Sequence, residues 1–400
     1  MKGNLHWLLL VASFVARASA TEPTFRLVNS TTLWSGRFVG AVTVGDGRVV
    51  LAPAAAGCVG VFDPSDAFPS SEFPSFSCVS HASIATGAGK YNGGALLHDG
   101  RVLFVPHTAS TVGLFNITDG VFETVDITGV VGTGTLHFAG AATAVDGRVV
   151  FAPARSTGVG VRPCFQHVHA GEHHRRQRGQ REVPRRRVGG RRTRCVLYFP
   201  NPNTVCRLSR VITRTHDERT DHFSFLFSVV FAPRDANGVG VFDPRDGADT
   251  FVLIDISHTY EGPAAGVKYM GAATASDGRV VFAPYYATGV RVFDPVHDTF
   301  TSVPIASKMS PTGTPSIHQF NSAATTSDGR VIFGPRHANG VGVFDPQNDT
   351  FELVDISHAI GIDDKFNGAA ATNDGRVVFS PWRSSAIGVF TPPPRCCACD

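Results

Sequence analysis

Gly271-Ala272-Ala273-Thr274-Ala275-Ser276-Asp277-Gly278-Arg279-Val280-Val281-Phe282-Ala283-Pro284 is the stretch that decides the fold. Small residues lead to an Asp-Gly pair, and an apolar, β-branched run then ends in proline. Asp-Gly between two apolar runs is a hairpin signal, predicting a type I′ turn with positive φ at both central residues. Further on, Gly289-Val290-Arg291-Val292-Phe293 reads as a third strand. After a turn at Asp294-Pro295, Thr299-Phe300-Thr301-Ser302-Val303 reads as a fourth. Residues 269–305 thus form four antiparallel strands joined by tight turns, the plan of one propeller blade. The small first strand suits a crowded inner position, and the phenylalanines fill the space between blades.

The unit recurs along the chain. Asp-Gly-Arg begins at Asp46, Asp99, Asp146, Asp277, Asp328 and Asp374, each time ahead of an apolar run ending in proline. Those prolines, with one more at Pro233, are Pro53, Pro106, Pro153, Pro284, Pro335 and Pro381, spaced 53, 47, 80, 51, 51 and 46 residues apart. A near-constant period of that size means a propeller or a solenoid. The ends favour a closed ring, because the last unit stops after Gly388-Val389-Phe390 at a proline run and lacks a fourth strand. Thr24-Phe25-Arg26-Leu27-Val28 reads like Thr350-Phe351-Glu352-Leu353-Val354 and supplies it, removing the exposed edges. The expected fold is all-β, a seven-bladed β-propeller over residues 21–391 with a Pro/Cys tail at 392–400.

Val343-Phe344-Asp345-Pro346-Gln347-Asn348-Asp349-Thr350-Phe351 resembles the third strand, turn and fourth-strand aromatic of kelch-type propellers. The resemblance covers almost the whole chain at the level of blade plan. It departs where kelch blades end their second strand in Gly-Gly, since this chain has Ala-Pro or Ser-Pro, and in using Phe where they favour Trp. The kelch group contains binding scaffolds and secreted copper oxidases, so the resemblance implies a fold and leaves function open. Copper oxidase chemistry would need a tyrosine beside a cysteine, and the sequence offers no evident pair.

The chain has 400 residues, 42% of them apolar and 17% charged, with 42 Gly, 25 Pro and 30 Phe, which suits short strands and tight turns. Residues 1–20 carry Lys2, an apolar run at 8–15 and Ala18-Ser19-Ala20, the pattern of a signal peptide, and the run is too short to span a bilayer. The expectation is a secreted, extracellular monomer without a membrane span. Sequons at Asn29, Asn116 and Asn348 fit glycosylation. Cys58 and Cys78 fall on neighbouring strands of one blade and are expected to form a disulfide. Cys396, Cys397 and Cys399 crowd the tail without a second ligand pair at metal-binding spacing.

The 80-residue interval holds the one charge run, ten arginines between Arg175 and Arg194. Reading the codons one nucleotide later after Gly160 permits Val-Phe-Asp-Pro, Thr-Phe-Thr-Leu-Val and Gly-Ala-Ala-x-Ala-Ala-Asp-Gly-Arg-Val-Val at the spacing that blade three and the start of blade four need. The stretch after Leu197 resembles no blade. Residues 162–228 are therefore read as an anomalous basic insert, a frame shift followed by a retained intron. Translated as written, it would cost blade three its outer strands and blade four its inner one. No nucleic-acid partner is expected from it.

In this strand order the Asp-Gly and Asp-Pro turns share one face, where the recurring arginines read as structural pairs with Asp63, Asp243, Asp294 and Asp345. The other face varies from blade to blade, as a recognition surface requires. Just after the prolines stand His107, Arg155, Arg234 with Asp235, Tyr285 with Tyr286, Arg336 with His337, and Trp382 with Arg383. Aromatic rings and guanidinium groups on a rim suit stacking on sugars and pairing with carboxylate or sulfate. A second series precedes the inner strands: Arg37, Lys90, His137, Lys268, Gln319 and Lys365. Its basic members either ring the channel mouth and favour an anionic ligand, or satisfy neighbouring carbonyls. His81, His258 and His358 read as loop histidines, though several near the channel could hold a metal. No catalytic triad, phosphate loop or metal-ligand spacing stands out, and no cofactor is implied. The leading expectation is a module binding an extracellular glycan or protein; the alternative is a carbohydrate-active propeller enzyme, a metal-dependent oxidase or a hydrolase or lyase.

Overall fold

The computed structural model describes residues 22–29, 38–65, 76–84, 86–131, 136–144, 146–155, 159–162, 206–215, 224–244, 249–257, 267–309 and 318–395. Residues 1–20, Arg37, His258 and the tail cysteines, and most of the basic insert, lie outside them. Seven antiparallel sheets follow one another around a ring, and six of them have four strands. Blade five shows the plan, running outward from the channel through Tyr269–Thr274, Val280–Pro284, Gly289–Asp294 and Thr299–Pro304. The inner strands of the other blades are Phe38–Thr43, Tyr91–Leu96, Phe138–Thr143, Cys206–Thr215, Phe320–Thr325 and Phe366–Ala371, each beside the next around the axis. No helix among the described residues is long and apolar enough to cross a membrane.

The ring closes as the termini suggest. Thr24–Asn29 pairs antiparallel with Ala386–Thr391, Thr24 opposite Thr391 and Asn29 opposite Ala386. Phe25 stands between Phe366 and Phe379 of the last blade, at 6.1 and 6.5 Å between ring centres. Blade three has three strands among the described residues, ending at Gly160–Arg162. The inner place in blade four is taken by Cys206–Thr215, paired along its length with Ser224–Pro233. The chain as written thus fills the position that the sequence appeared to leave empty.

The Asp-Gly hairpins differ from expectation. Gly278 has φ 87°, but Asp277 is not among the residues with positive φ. Gly278 N–H donates to the Ala275 carbonyl at 3.0 Å and Ala275 N–H to the Arg279 carbonyl at 2.8 Å. This is a type I turn followed by a one-glycine bulge, the three-residue hairpin loop, rather than type I′. Aspartate favours it because its Oδ1 accepts the Arg279 N–H at 3.0 Å, closing the turn from the side.

Inside six of the blades, aromatic rings meet over a third-strand glycine. A Cβ at Gly342 would lie 2.9 Å from both Phe333 and Phe351 and 3.1 Å from Phe320. Gly60, Gly113, Gly160, Gly240 and Gly388 are packed the same way. Blade five places Arg291 here instead, buried, with its Nε donating to the Tyr269 hydroxyl at 3.3 Å. Around the axis the blades meet through backbone. A Cβ at Gly40 would lie 2.6 Å from the Gly93 Cα, and one at Gly368 2.5 Å from the Gly40 Cα.

The repeated arginines fasten blade to blade. Arg279 pairs with Asp277 of its own turn at 2.6 Å and reaches Asp349 and the Pro346 carbonyl of the next blade. Arg148 likewise reaches Asp249, Arg330 the Pro393 carbonyl and Arg376 the Pro64 carbonyl. Except for the Pro393 carbonyl, these cross-blade partners are aspartates and backbone carbonyls near the Asp-Pro turns. Asp345 pairs with Arg395 and Asp294 with His297. Cys58 and Cys78 are bridged across the third and outer strands of blade one, with Cα atoms 5.4 Å apart.

Candidate functional site

The described members of both series of predicted site residues lie on the face opposite the Asp-Gly turns, where they build a belt of backbone hydrogen bonds. His107 N–H donates to the Lys90 carbonyl and His137 N–H to the His107 carbonyl. Farther round, the belt runs from the Arg234 carbonyl through Lys268, Tyr285, Gln319, Arg336 and Lys365 to Trp382, every link between 2.6 and 3.0 Å. Side chains on the variable face are thus presented from a fixed rim.

The pre-strand lysines turn inward. Lys90, Lys268 and Lys365 are 2%, 5% and 1% exposed. Lys90 Nζ donates to the Ala56 and Gly87 carbonyls at 2.8 and 3.1 Å. Lys268 Nζ reaches those of Asp235 and Ala236 at 3.2 Å, and Lys365 Nζ that of His337 at 3.4 Å. Burial pulls all three ammonium groups below the ordinary lysine range, and it pulls His137 down as well. Of the two roles open to this series, satisfying carbonyls is the one these contacts display.

On the rim of blades four to seven the post-proline residues converge. Tyr285 and Tyr286 meet edge to face at 5.3 Å between ring centres, and His318 lies 4.7 Å from both. The Tyr286 hydroxyl bonds His318 Nε2, and the His337 ring stands edge-on to His318 at 4.7 Å. Asp364 ties the far side together, accepting from Arg336 Nε at 2.5 Å, contacting His337 Nε2 at 3.1 Å and lying 3.5 Å from Arg383 Nε. The Arg336 guanidinium sits 5.4 Å over the Tyr285 ring, a cation–π contact. Arg234, ion-paired with Asp235 at 3.3 Å, is close enough to act on Tyr285 electrostatically.

Charge and burial set the protonation states. Burial raises the Tyr285 hydroxyl above its ordinary value. Burial lowers His318, and the neighbouring His337 and Arg336 lower it further, so its imidazole is neutral at pH 7. Burial pushes the Asp364 carboxyl up, but Arg336 and His337 outweigh it and hold the group below the ordinary carboxylate range. The result is a neutral imidazole and two phenols beside a fixed carboxylate and the Arg383 guanidinium, which is 68% exposed.

Of the predicted residues, Arg234, Asp235, Tyr285, Tyr286, Arg336, His337 and Arg383 belong to this cluster or border it. Trp382 stands beside it, half-buried, donating its backbone N–H to the Lys365 carbonyl. His107 and Arg155 occupy the same rim positions in blades two and three; His107 Nδ1 donates to the Phe138 carbonyl at 2.7 Å, and Arg155 is exposed. The sequence reading passed over His318, Asp363 and Asp364, which precede the pre-strand series. Asn29 and Asn348 are exposed and Asn116 half-buried. Among the described residues no group of three His, Cys, Asp or Glu could hold a metal ion. On the axis, the channel holds an open pocket of about 120 Å³ lined by small residues such as Gly40, Gly93, Gly140, Gly271, Ser322 and Gly368.

Solved propellers share this architecture. A catalytically inactive virginiamycin B lyase from Staphylococcus aureus with quinupristin matches at a TM-score of 0.63 and 14% identity, covering 92% of this chain and 99% of that one. The extracellular domain of a hybrid two-component system from B. thetaiotaomicron matches at 0.59 and 12%, covering 92% of this chain and 41% of that one. The WD40 repeats of RRP9 match at 0.56 and 13%, covering 94% and 98%. At such identities the likeness shows the seven-bladed fold. No family model and no curated protein matches the sequence.

Proposed function

We propose that the protein is a secreted, kelch-like propeller module that binds an extracellular glycan on the rim of blades four to seven. The observation that carries this reading is the convergence of Tyr286, His318, His337, Asp364 and Arg383 from three blades beside the half-buried Trp382. Sugar rings present C–H faces to aromatic side chains and hydroxyls to carboxylate, imidazole and guanidinium, all of which stand together here. Arginines and aspartates are evenly matched on this rim, so neutral and acidic saccharides both suit it. A leader-like N-terminus and a disulfide support an extracellular setting. A glycan array probed with the wild type and with Tyr286→Ala and Arg383→Ala tests the reading. Binding by the wild type with at least a fivefold loss in each variant is expected, on the order of one hydrogen bond or stacking contact. A wild type that binds no glycan sinks it.

The second reading, a carbohydrate-active enzyme, draws on one feature. Tyr286 bonds His318 and His337 contacts Asp364, two pairs whose imidazoles meet edge-on, and phenol, imidazole and carboxylate are groups of the kind that move protons. Incubating array-positive glycans with the protein separates the two, since an enzyme releases products and a binding module returns the glycan unchanged.

A further inference from the structure

The belt residue that precedes the inner strand is a lysine in three blades, a histidine in blade three and a glutamine in blade six. In blades two, five and seven it is Lys90, Lys268 or Lys365, each stapling the loop of the preceding blade through its ammonium group. In blade six it is Gln319, which is 1% exposed. Neither Gln319 Nε2 nor Oε1 has a hydrogen-bond partner, and the adjoining His318 Nδ1 has none either. Three buried polar atoms on two consecutive residues are thus unsatisfied, directly beside Tyr285 and Tyr286. Native interiors satisfy nearly all such atoms, so three of them together beside an aromatic rim call for a partner, either a water or a ligand.

We propose that the junction of blades five and six is a subsite for a vicinal diol of a pyranose, bonded by Gln319 and His318 directly or through one bridging water. The proposal rests on the glycan reading above and names the subsite within it. The donor set selects the ligand class. An amide offers two donors and one acceptor, and a neutral imidazole whose Nε2 is engaged by Tyr286 offers one more atom of either kind. Paired hydroxyls, each donor and acceptor, complement that set. A carboxylate or phosphate would face the amide oxygen without a donor, and an ammonium would meet the neighbouring Arg336. Tyr286, half-buried at the rim, supplies an aromatic surface for the ring, and the loop carrying it has no lysine staple of the kind found in three other blades.

The test is calorimetric titration of the full chain with methyl glucoside, methyl galactoside and methyl mannoside, alongside thermal melts. Gln319→Lys installs the residue of three other blades, and Gln319→Met keeps the shape while removing both polar atoms. At least one glycoside should bind the wild type. Both variants should melt at or above the wild-type temperature while affinity for that glycoside falls about tenfold or more. Affinity unchanged in Gln319→Met overturns the subsite even if glycan binding stands, because a purely structural glutamine predicts that result. Failure of the wild type to bind any of the three glycosides also overturns the subsite. If an array nevertheless finds another glycan that binds, the broader reading survives; if not, both fall.

Discussion

His318 and Asp364 hold φ angles of 59° and 56°, in the left-handed region that side chains other than glycine adopt at a cost of about 1 kcal/mol or more. Blade two has Gly89 at the same place, φ 68°, and blade three has Leu136, φ 65°. The turn into the inner strand takes this conformation in four blades, though not at Val267 of blade five. Blades six and seven use it to place an imidazole on Tyr286 and a carboxylate on Arg336 and His337. That was the signal available in the sequence: a position where one repeat has glycine and its equivalents carry His and Asp. Repeat comparison singled out the rim, but it ranked residues by type, and these two have no repeated type. A consequence for pH follows. An imidazole whose proton affinity is lowered on folding binds its proton more readily in the unfolded chain. Stability should therefore be unaffected by His318 above its ordinary value of 6.5 and fall as pH drops below it. Asp364, lowered on folding, contributes above the ordinary carboxylate value of 3.8, and its share is lost only as pH falls further. Melting curves from pH 7.5 to 5 should show the decline, and His318→Gln should flatten it. An identical slope in that variant would place the titration elsewhere.

At the scale of the element, periodicity told more than turn chemistry. The small inner strand, the phenylalanine-bearing strands and the Asp-Gly corner were all legible, because each follows from how much room a propeller offers at each radius. The turn type was not, since Asp-Gly suits both hairpin loops and only the spacing of the flanking bonds separates them. The inner-strand glycine and the turn glycine also do different work, which two substitutions separate. Gly40 has φ 91° and its added Cβ would strike the Gly93 backbone at 2.6 Å, whereas Gly100 has φ 84° and nothing within 4 Å. Gly100→Ala should cost about 1 kcal/mol from backbone strain alone. Gly40→Ala adds a clash that no side chain can relieve and should cost about 2–5 kcal/mol. Chemical denaturation measures both, and equal losses would mean that the blades part easily at the axis.

For the whole molecule, the question is what keeps seven similar sheets in a ring. Adjacent blades share their cores. Phe320 and Phe333 of blade six pack in one cluster with Val281 and Val292 of blade five, and Phe366 and Phe379 of blade seven pack with Ile332 and Val343 of blade six. Arginine clamps add a second fastening on the turn face. Exposed ion pairs contribute little, but Arg330 and Arg376 are 7% and 9% exposed and bond backbone carbonyls across the seam. The place where chain connectivity does not hold neighbours together is between blades seven and one, and there the first strand completes the last blade. Six residue pairs join Thr24–Asn29 to Ala386–Thr391, Val28 packs in the cluster that joins blades seven and one, and Phe25 and Leu27 pack against the core shared by blades six and seven. Removing residues 22–29 would leave Ala386–Thr391 as an open edge and uncover apolar surface on both sides of it. The truncated chain should melt at a lower temperature than the full chain and self-associate. A synthetic peptide with the sequence of Thr24–Asn29, added in excess, should recover part of the loss by mass action. Calorimetry with light scattering decides the matter, and a truncated chain that melts like the intact one and stays monomeric would show that the ring is closed by the shared cores and clamps without the strand.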